Sequence, residues 1–298
     1  MSNVGIDDVT VVMATRGPSP FFHSAVESAA AQRPAEVIVV ENGTTGVVAE
    51  ALPAGVRLLR LAAPGRSSAR NTGVNAAGTQ FVAFLDDDDL LLPQGLERLR
   101  TTLQHAADAP LAAGPVVVRD AAGNDLGEWN ALLAGRFRRL SASSRDFAAI
   151  LESRCPIYTS ATMVRRDAFV AADGYDDNLE SYEDLDLYLR LSRRGPVAVC
   201  TGAPVSVYRL HGSNTPSGRL YEGALLVTDK HLPSARGRER RLLVEWHIDA
   251  LWGLRRFGSL RKQALREALR DPALLGRVRF TKRLLGSFLP APILSRRG

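Results

Sequence analysis

Four consecutive carboxylates, Asp86-Asp87-Asp88-Asp89, follow directly on the apolar run Phe81-Val82-Ala83-Phe84-Leu85. Five apolar residues bounded by turn signals read as a buried strand, so the aspartates arrive where that strand leaves its sheet. Side by side they repel one another, and a partly buried carboxylate requires a partner or a metal. In open α/β sheets ligands bind just beyond the carboxyl ends of strands. A hard divalent cation that also bridges diphosphate oxygens would neutralise such a cluster. The plain alternative is a solvated acidic turn that caps a helix beginning near Pro93. Two other features have chemical capacity: the adjacent pair Glu183-Asp184 at the start of an amphipathic segment, and His211, which follows a strand rather than sitting in a core.

The elements that must position these groups alternate. Val9–Met13 reads as a first strand with Ala14-Thr15-Arg16-Gly17-Pro18 as its exit loop, and Ser19–Gln32 has helical spacing with a cap near Ser19. Val37–Val40 is a second buried strand that ends in Glu41-Asn42-Gly43-Thr44-Thr45. A short helix around Val47–Leu52, a strand at Val56–Leu61 and a helix over Gly65–Ala77 lead to the strand before the aspartates. Beyond them come a helix at Pro93–Ala107, a strand at Leu111–Arg119, a turn at Asp120–Asn124 and a less regular, arginine-rich stretch at Trp129–Leu151. Thr159–Val164 is read as a strand, Arg166–Ala172 as a short helix, Tyr182–Leu191 as a strong helix, and Val197–Cys200 and Val205–Leu210 as strands. Alternation at this spacing points to βαβ units and a mostly parallel sheet. Continuously apolar strands agree with helices covering both faces.

At 298 residues the chain fits one large domain or a domain with an appendage, and its size needs no disulfide or structural zinc. Its two cysteines, Cys155 and Cys200, form no CxxC pair, which points to a reducing, cytoplasmic setting. Asp7 and Asp8 stand where a signal peptide would be basic, and no run approaches the length of a membrane span. The net charge of +6 is uneven: residues 220–298 carry 17 Lys and Arg against 7 Asp and Glu, which leaves −4 to residues 1–219. The basic character therefore belongs to the tail.

In this order the motifs resemble the inverting GT-A glycosyltransferases of family 2. The matching residues are Ala14-Thr15-Arg16, Glu41-Asn42-Gly43-Thr44, Ala69-Arg70-Asn71-Thr72-Gly73, Asp86-Asp87-Asp88-Asp89, Glu183-Asp184 and Tyr208-Arg209-Leu210-His211. Together they cover about residues 8–216. The resemblance implies a Rossmann-like GT-A domain over residues 1–219, with a nucleotide-binding half at about 8–119 and an acceptor half at about 120–219. A basic helical region follows at 220–298. Ala14 replaces the usual Pro, and Glu41 stands where the family usually has Asp, which shifts a hydrogen-bond acceptor and leaves the donor base open. The Gln-x-x-Arg-Trp element of processive synthases does not occur in the sequence.

The resemblance also implies roles. Thr15, Arg16, Glu41, Asn42 and Asn71 would line the nucleotide-sugar pocket. Of Arg66 and Arg70, on one helix, Arg66 is the one expected on the donor diphosphate, where a guanidinium binds phosphate in a bidentate fashion. Asp86 and Asp88 form the Asp-x-Asp pair. Asp86 is expected on ribose or metal-bound water and Asp88 on Mn²⁺ or Mg²⁺, with His211 as a further metal ligand or diphosphate contact. Asp87 would contact the donor or, like Asp89, support the pair or cap a helix. Asp184 matches the general base and Glu183 an acceptor contact. A helix N-terminus lowers a carboxylate pKa while burial and a neighbouring carboxylate raise it, a balance that can poise a base near working pH. Asp186 is expected to be structural, as are His23, His105, His231 and His247.

The activity this implies is metal-dependent inverting transfer from a nucleotide-diphosphate sugar, with a UDP-sugar expected, to a hydroxyl on a glycan, lipid-linked or small-molecule acceptor. Two rivals are a non-catalytic nucleotide-sugar-binding relative and a nucleotidyltransferase. A non-enzyme has no use for the base, and the loop Ala14–Pro18 is a poor triphosphate cradle. The basic, leucine-rich tail fits packing on the catalytic domain, a homodimer, or contact with an anionic membrane at the inner face. Nucleic acid is not expected, because no aromatic platform accompanies the charge.

Overall fold

Strand-forming apolar runs produce the frame of the computed structural model, which describes residues 6–17, 19–43, 52–212 and 216–288. The chain divides into two compact units, residues 1–214 and 215–298. In the first unit the strands are β1 Ile6–Thr15, β2 Pro34–Asn42, β3 Val56–Leu61, β4 Phe81–Asp86, β5 Leu90–Leu91, β6 Leu111–Ala113, β7 Val116–Asp120, β8 Thr162–Arg165, β9 Ala198–Val199 and β10 Ser206–Leu210. Its helices are α1 Phe22–Ala30, α2 Arg66–Ala76, α3 Gly95–Gln104, α4 Gly127–Ser141, α5 Phe147–Glu152, α6 Arg166–Ala171 and α7 Glu183–Ser192.

Seven strands form one sheet in the order β3-β2-β1-β4-β8-β6-β9, and β5-β10-β7 form a second. β3, β2, β1 and β4 run parallel, and β8 is antiparallel to both β4 and β6. Alternate residues of β1 serve opposite faces. Val9, Val11 and Met13 join the core built with Phe22 and Val26 of α1 and Leu96, Leu99 and Leu103 of α3. On the other face Val12 lies under α2, where a Cβ at Gly73 would come within 2.4 Å of it. Only glycine permits that approach of helix to strand. Parallel register then places Ala14 opposite Asp86 and Thr15 opposite Glu41, so β1, β2 and β4 deliver their carboxyl ends to one edge.

Four expectations change. The strand expected over Leu111–Arg119 is two strands in two sheets, divided at Gly114-Pro115. Pro115 donates no backbone hydrogen bond, and a side chain at Gly114 would strike Val205 at 2.5 Å. Trp129–Leu151 is regular: it lies largely within α4, which buries Leu133, Phe137 and Leu140 at helical spacing, and α5, which is capped by Asp146 accepting the Ala149 N–H. Thr159–Ala161 is a 3₁₀ turn that precedes β8. The helix after the aspartates starts at Gly95 with Gln94 at its cap, so neither Asp87 nor Asp89 caps it. The helix expected around Val47 falls almost wholly outside the described residues.

The second unit comprises α8 Ser217–His231, α9 Gly237–Gly253, α10 Phe257–Arg270, a 3₁₀ turn at Pro272–Gly276 and α11 Val278–Gly286. α9 contacts α8, α10 and α11 and buries Leu243, Val244, Ile248 and Leu251. Arg240 makes a bidentate pair with buried Glu267, and Arg277 and Arg283 reach back to Glu245 and Asp249 of α9. No helix among the described residues is long and apolar enough to cross a membrane.

Candidate active site

The aspartate loop is held by its neighbours before any ligand is considered. Buried Asp89 accepts the Ser160 hydroxyl at 2.6 Å and the Arg209 backbone N–H at 2.8 Å. The Arg209 guanidinium donates to the Asp88 carbonyl at 2.8 Å and lies over the Phe21 ring. β5, directly after the aspartates, pairs with β10 through Leu91–Ser206 and Leu90–Val207. That pairing carries the end of β10 back to the loop, and His211 Nε2 comes to rest 2.9 Å from Asp88 Oδ2. Asp88 and His211, expected together from sequence, are together.

Arg70 is the organising cation. It is 2 % exposed on α2, and its two terminal nitrogens reach Asp86 at 2.5 Å and Glu183 at 2.8 Å. Arg66, one turn earlier and half-exposed, reaches the same Glu183 oxygen at 3.4 Å. Both arginines therefore reach the carboxylates of the site. The sequence favoured Arg66 alone, and nothing in its pattern separates a buried arginine with two carboxylates from an exposed one. The signal was nonetheless present: four residues apart, the two share one face of α2.

Glu183 and Asp184 open α7 behind Tyr182, whose backbone is left-handed at φ 59°. Glu183 is buried in the arginine pairs, while Asp184 is half-buried and accepts the Leu185 N–H at 2.7 Å. Asp186 is fully buried and paired with Arg190 at 2.7 Å, a structural role as expected.

Burial and mutual repulsion govern the carboxyls. Burial and then the neighbouring Glu183 charge push Asp184 up to about 7, opposed by the Leu185 N–H and by Arg70. Burial also raises Asp87 to about 6, although the Thr15 hydroxyl bonds it at 2.6 Å. Burial and the Asp86 charge raise Asp88 against the pull of His211, and Asp89 stands well above the ordinary range for the same reasons. Asp86 differs: burial works against its ionisation, but Arg70 and Arg66 outweigh it and hold the carboxyl below its ordinary value.

The remaining expected residues divide into two groups. Thr15 and Glu41 stand at adjacent strand ends, with buried Glu41 accepting from Arg60 at 3.0 Å, and Arg16 is exposed beside them. Asn42 instead joins loops, donating to the Thr15 carbonyl at 2.9 Å and accepting the Gly65 N–H at 3.1 Å. Asn71 likewise clamps the backbone of Tyr175, at 2.9 and 2.8 Å. Both amides tie together backbone from separate parts of the chain. Ser160, whose hydroxyl bonds Asp89 and accepts the Asp86 N–H at 3.1 Å, had no signal in sequence.

Oxygen atoms of Asp86, Asp88 and Asp89 lie within 4.8 Å of one another, a donor set suited to a hard divalent cation. The arrangement thus joins three features: a carboxylate cluster with the donors for a divalent cation, a half-exposed arginine beside a buried one, and a half-buried carboxyl raised toward neutrality.

Comparison with known proteins agrees. The model of glycosyl transferase family 2 matches residues 10–170. A pre-mycofactocin glycosyltransferase of Mycobacterium tuberculosis is 32% identical over 196 residues, 63% of this chain and 40% of the relative. The amylovoran biosynthesis glycosyltransferase AmsE of Erwinia amylovora is 27% identical over 135 residues, 45% of this chain and 47% of the relative. The matched region thus spans less than half the length of these relatives. Among solved structures, S. aureus TarS 1-349 in complex with UDP superposes with TM-score 0.58 at 14% identity, covering 93% of this chain and 88% of that one. The mannosyltransferase PcManGT of Pyrobaculum calidifontis, in complex with GDP-Man and Mn²⁺, gives 0.58 at 14% identity, covering 96% and 87%. At that identity the likeness shows the fold, which is GT-A.

Proposed function

The chain belongs to glycosyl transferase family 2, and on that premise we propose that it transfers a glycosyl group, with inversion, from a UDP-sugar to a hydroxyl acceptor. The observation that carries this reading is Asp184. It is a half-buried carboxyl raised to about 7, one residue from a glutamate that Arg70 ties to the aspartate cluster. A carboxylate with that proton affinity can take a hydroxyl proton near neutral pH, typically worth about 10²–10⁴-fold in rate.

Asp184 receives the proton of the acceptor hydroxyl as its oxygen attacks the anomeric carbon, and the bond from that carbon to the diphosphate oxygen breaks. Arg66, half-exposed at the start of α2, contacts the donor diphosphate, and Thr15, Arg16 and Glu41 line the nucleoside end. Arg70 and Arg66 hold Glu183 in ion pairs, leaving Asp184 as the proton acceptor. The crowded carboxylates fit a divalent ion, with Asp88, Asp86 and His211 as the residues that would hold Mn²⁺ or Mg²⁺. Such an ion supplies Lewis-acid stabilisation of charge on the leaving diphosphate. TarS in complex with UDP supports a uridine donor, whereas PcManGT with GDP-Man makes the base the first point to test.

The test is thermal stabilisation by UDP, GDP and dTDP, each with Mn²⁺ and with EDTA, on the wild type and Asp88→Ala. A nucleotide at about 100 times its dissociation constant adds about 2.7 kcal/mol. The reading expects a shift with UDP and Mn²⁺ that EDTA and the substitution both remove. Absence of any nucleotide shift, or an undiminished shift in Asp88→Ala, overturns it.

A further inference from the structure

The second unit presents a surface that the transfer chemistry does not use. Along α10, Leu265 and Leu269 are exposed one turn apart, and Leu269 is 86% accessible. The following turn and α11 expose Leu275, Val278 and Leu285, at 51%, 68% and 64%. Phe288 is exposed as well, and its ring lies under the Arg261 guanidinium at 5.0 Å. That contact sets the end of α11 beside the start of α10. The two apolar stripes therefore run antiparallel as neighbours, with Phe280 and Leu284 of α11 and Leu260 and Ala264 of α10 buried beneath them.

The charge on these helices is distributed just as unevenly. Their acidic residues, Glu267 and Asp271, pair inward with Arg240 and Arg241 of α9. The exposed charges that remain between the leucines are cations: Lys262, Arg266, Arg270 and Lys282. None of the four takes part in an ion pair among the described residues. Leucines standing in water among unpaired cations, on helices with a well-buried inner face, constitute an interfacial amphipathic surface.

We propose that the α10–α11 face docks on an anionic lipid bilayer, lying in the interface with its leucines among the acyl chains and its cations on the headgroups. A second copy of the chain fits poorly, because a two-fold contact sets this patch against itself and opposes like charges. The inference is independent of the transferase reading.

The test is co-sedimentation of the full chain with phosphatidylcholine vesicles, with and without phosphatidylglycerol. The anionic vesicles are expected to retain the protein, and rising salt to release it. Each cation near the surface is worth roughly fivefold in partitioning, so Lys262→Gln with Arg266→Gln should weaken binding about 30-fold. Leu269→Gln and Val278→Gln should each weaken it about tenfold or more. All four sites are exposed, so melting temperature and nucleotide-induced stabilisation should not change. This separates failure here from failure of the donor site. Recovery of the wild type in the supernatant, equal binding to uncharged vesicles, or a lipid-independent dimer abolished by the leucine substitutions would each overturn the proposal.

Discussion

Replacing Asp184 with Asn should stabilise the protein while abolishing transfer, and the size of the gain follows from the environment of the carboxyl. The side chain titrates near 3.8 when free and is raised to about 7 in the folded chain, first by burial and then by Glu183. A raised carboxyl gives its full stability below its unfolded pKa and loses it as pH climbs toward the folded value, because only the unfolded chain ionises there. The difference of about three units, at 1.36 kcal/mol each, sets a ceiling of about 4 kcal/mol above pH 7. Because the group is half-buried, solvent screening reduces that to about 2 kcal/mol. Asparagine has nearly the same shape and keeps an oxygen for the Leu185 N–H, so the substitution removes only the charge. At about 2–4 °C per kcal/mol for a unit of this size, the variant should melt about 4–8 °C higher at pH 8. The assay is thermal unfolding of both proteins across pH 4 to 8.5 in EDTA. The two curves should converge near pH 4, separate through pH 7 and run parallel above it. A constant difference at every pH, or a variant less stable at pH 8, refutes the reasoning.

Three further outcomes follow from the same geometry. Arg70→Met removes the buried cation shared by half-buried Asp86 and buried Glu183 and leaves them only the half-exposed Arg66, so it should cost about 3 kcal/mol at neutral pH. Asp86 is held low by that arginine, so the loss should shrink as pH falls and its carboxyl protonates, which thermal melts at pH 7 and pH 4 will show. Asp89→Ala strands the Ser160 hydroxyl and the Arg209 N–H. It should cost about 2–4 kcal/mol and, by loosening the loop that carries Asp88, reduce Mn²⁺-dependent nucleotide stabilisation in a titration. Gly73→Ala places a methyl 2.4 Å from Val12 and should cost about 1–3 kcal/mol in denaturant unfolding, with nucleotide affinity little changed.

The frame was legible because it rests on local pattern. Val37–Val40 and Phe81–Leu85 are apolar without interruption and Val9–Met13 is broken only by Thr10, and a strand buried on both faces leaves that trace whatever surrounds it. The misread segments are those in which tertiary contact decides. Leu111–Arg119 looks continuous, yet Pro115 and the close approach of Val205 to Gly114 send its two halves into different sheets. The arginines of α4 obscured its periodicity, although Leu133, Phe137 and Leu140 mark its buried face.

The site shows the same division at finer grain. Residue types announced the carboxylates, since four aspartates after a buried strand have few structural uses. Sequence order could not reveal which of them the fold neutralises, because that depends on cations and hydroxyls far along the chain. Arg70 takes Asp86, Ser160 and Arg209 take Asp89, and His211 meets Asp88. Among the described residues Asp184 has no such partner. Its side chain accepts the N–H of the next residue, while Glu183 beside it holds the arginines. Two adjacent carboxylates of nearly equal intrinsic acidity are thereby driven to different roles, one fixed in ion pairs and one left with a raised proton affinity. Both stand in the first turn of α7, directly after the left-handed Tyr182, and only Glu183 meets the arginines of α2.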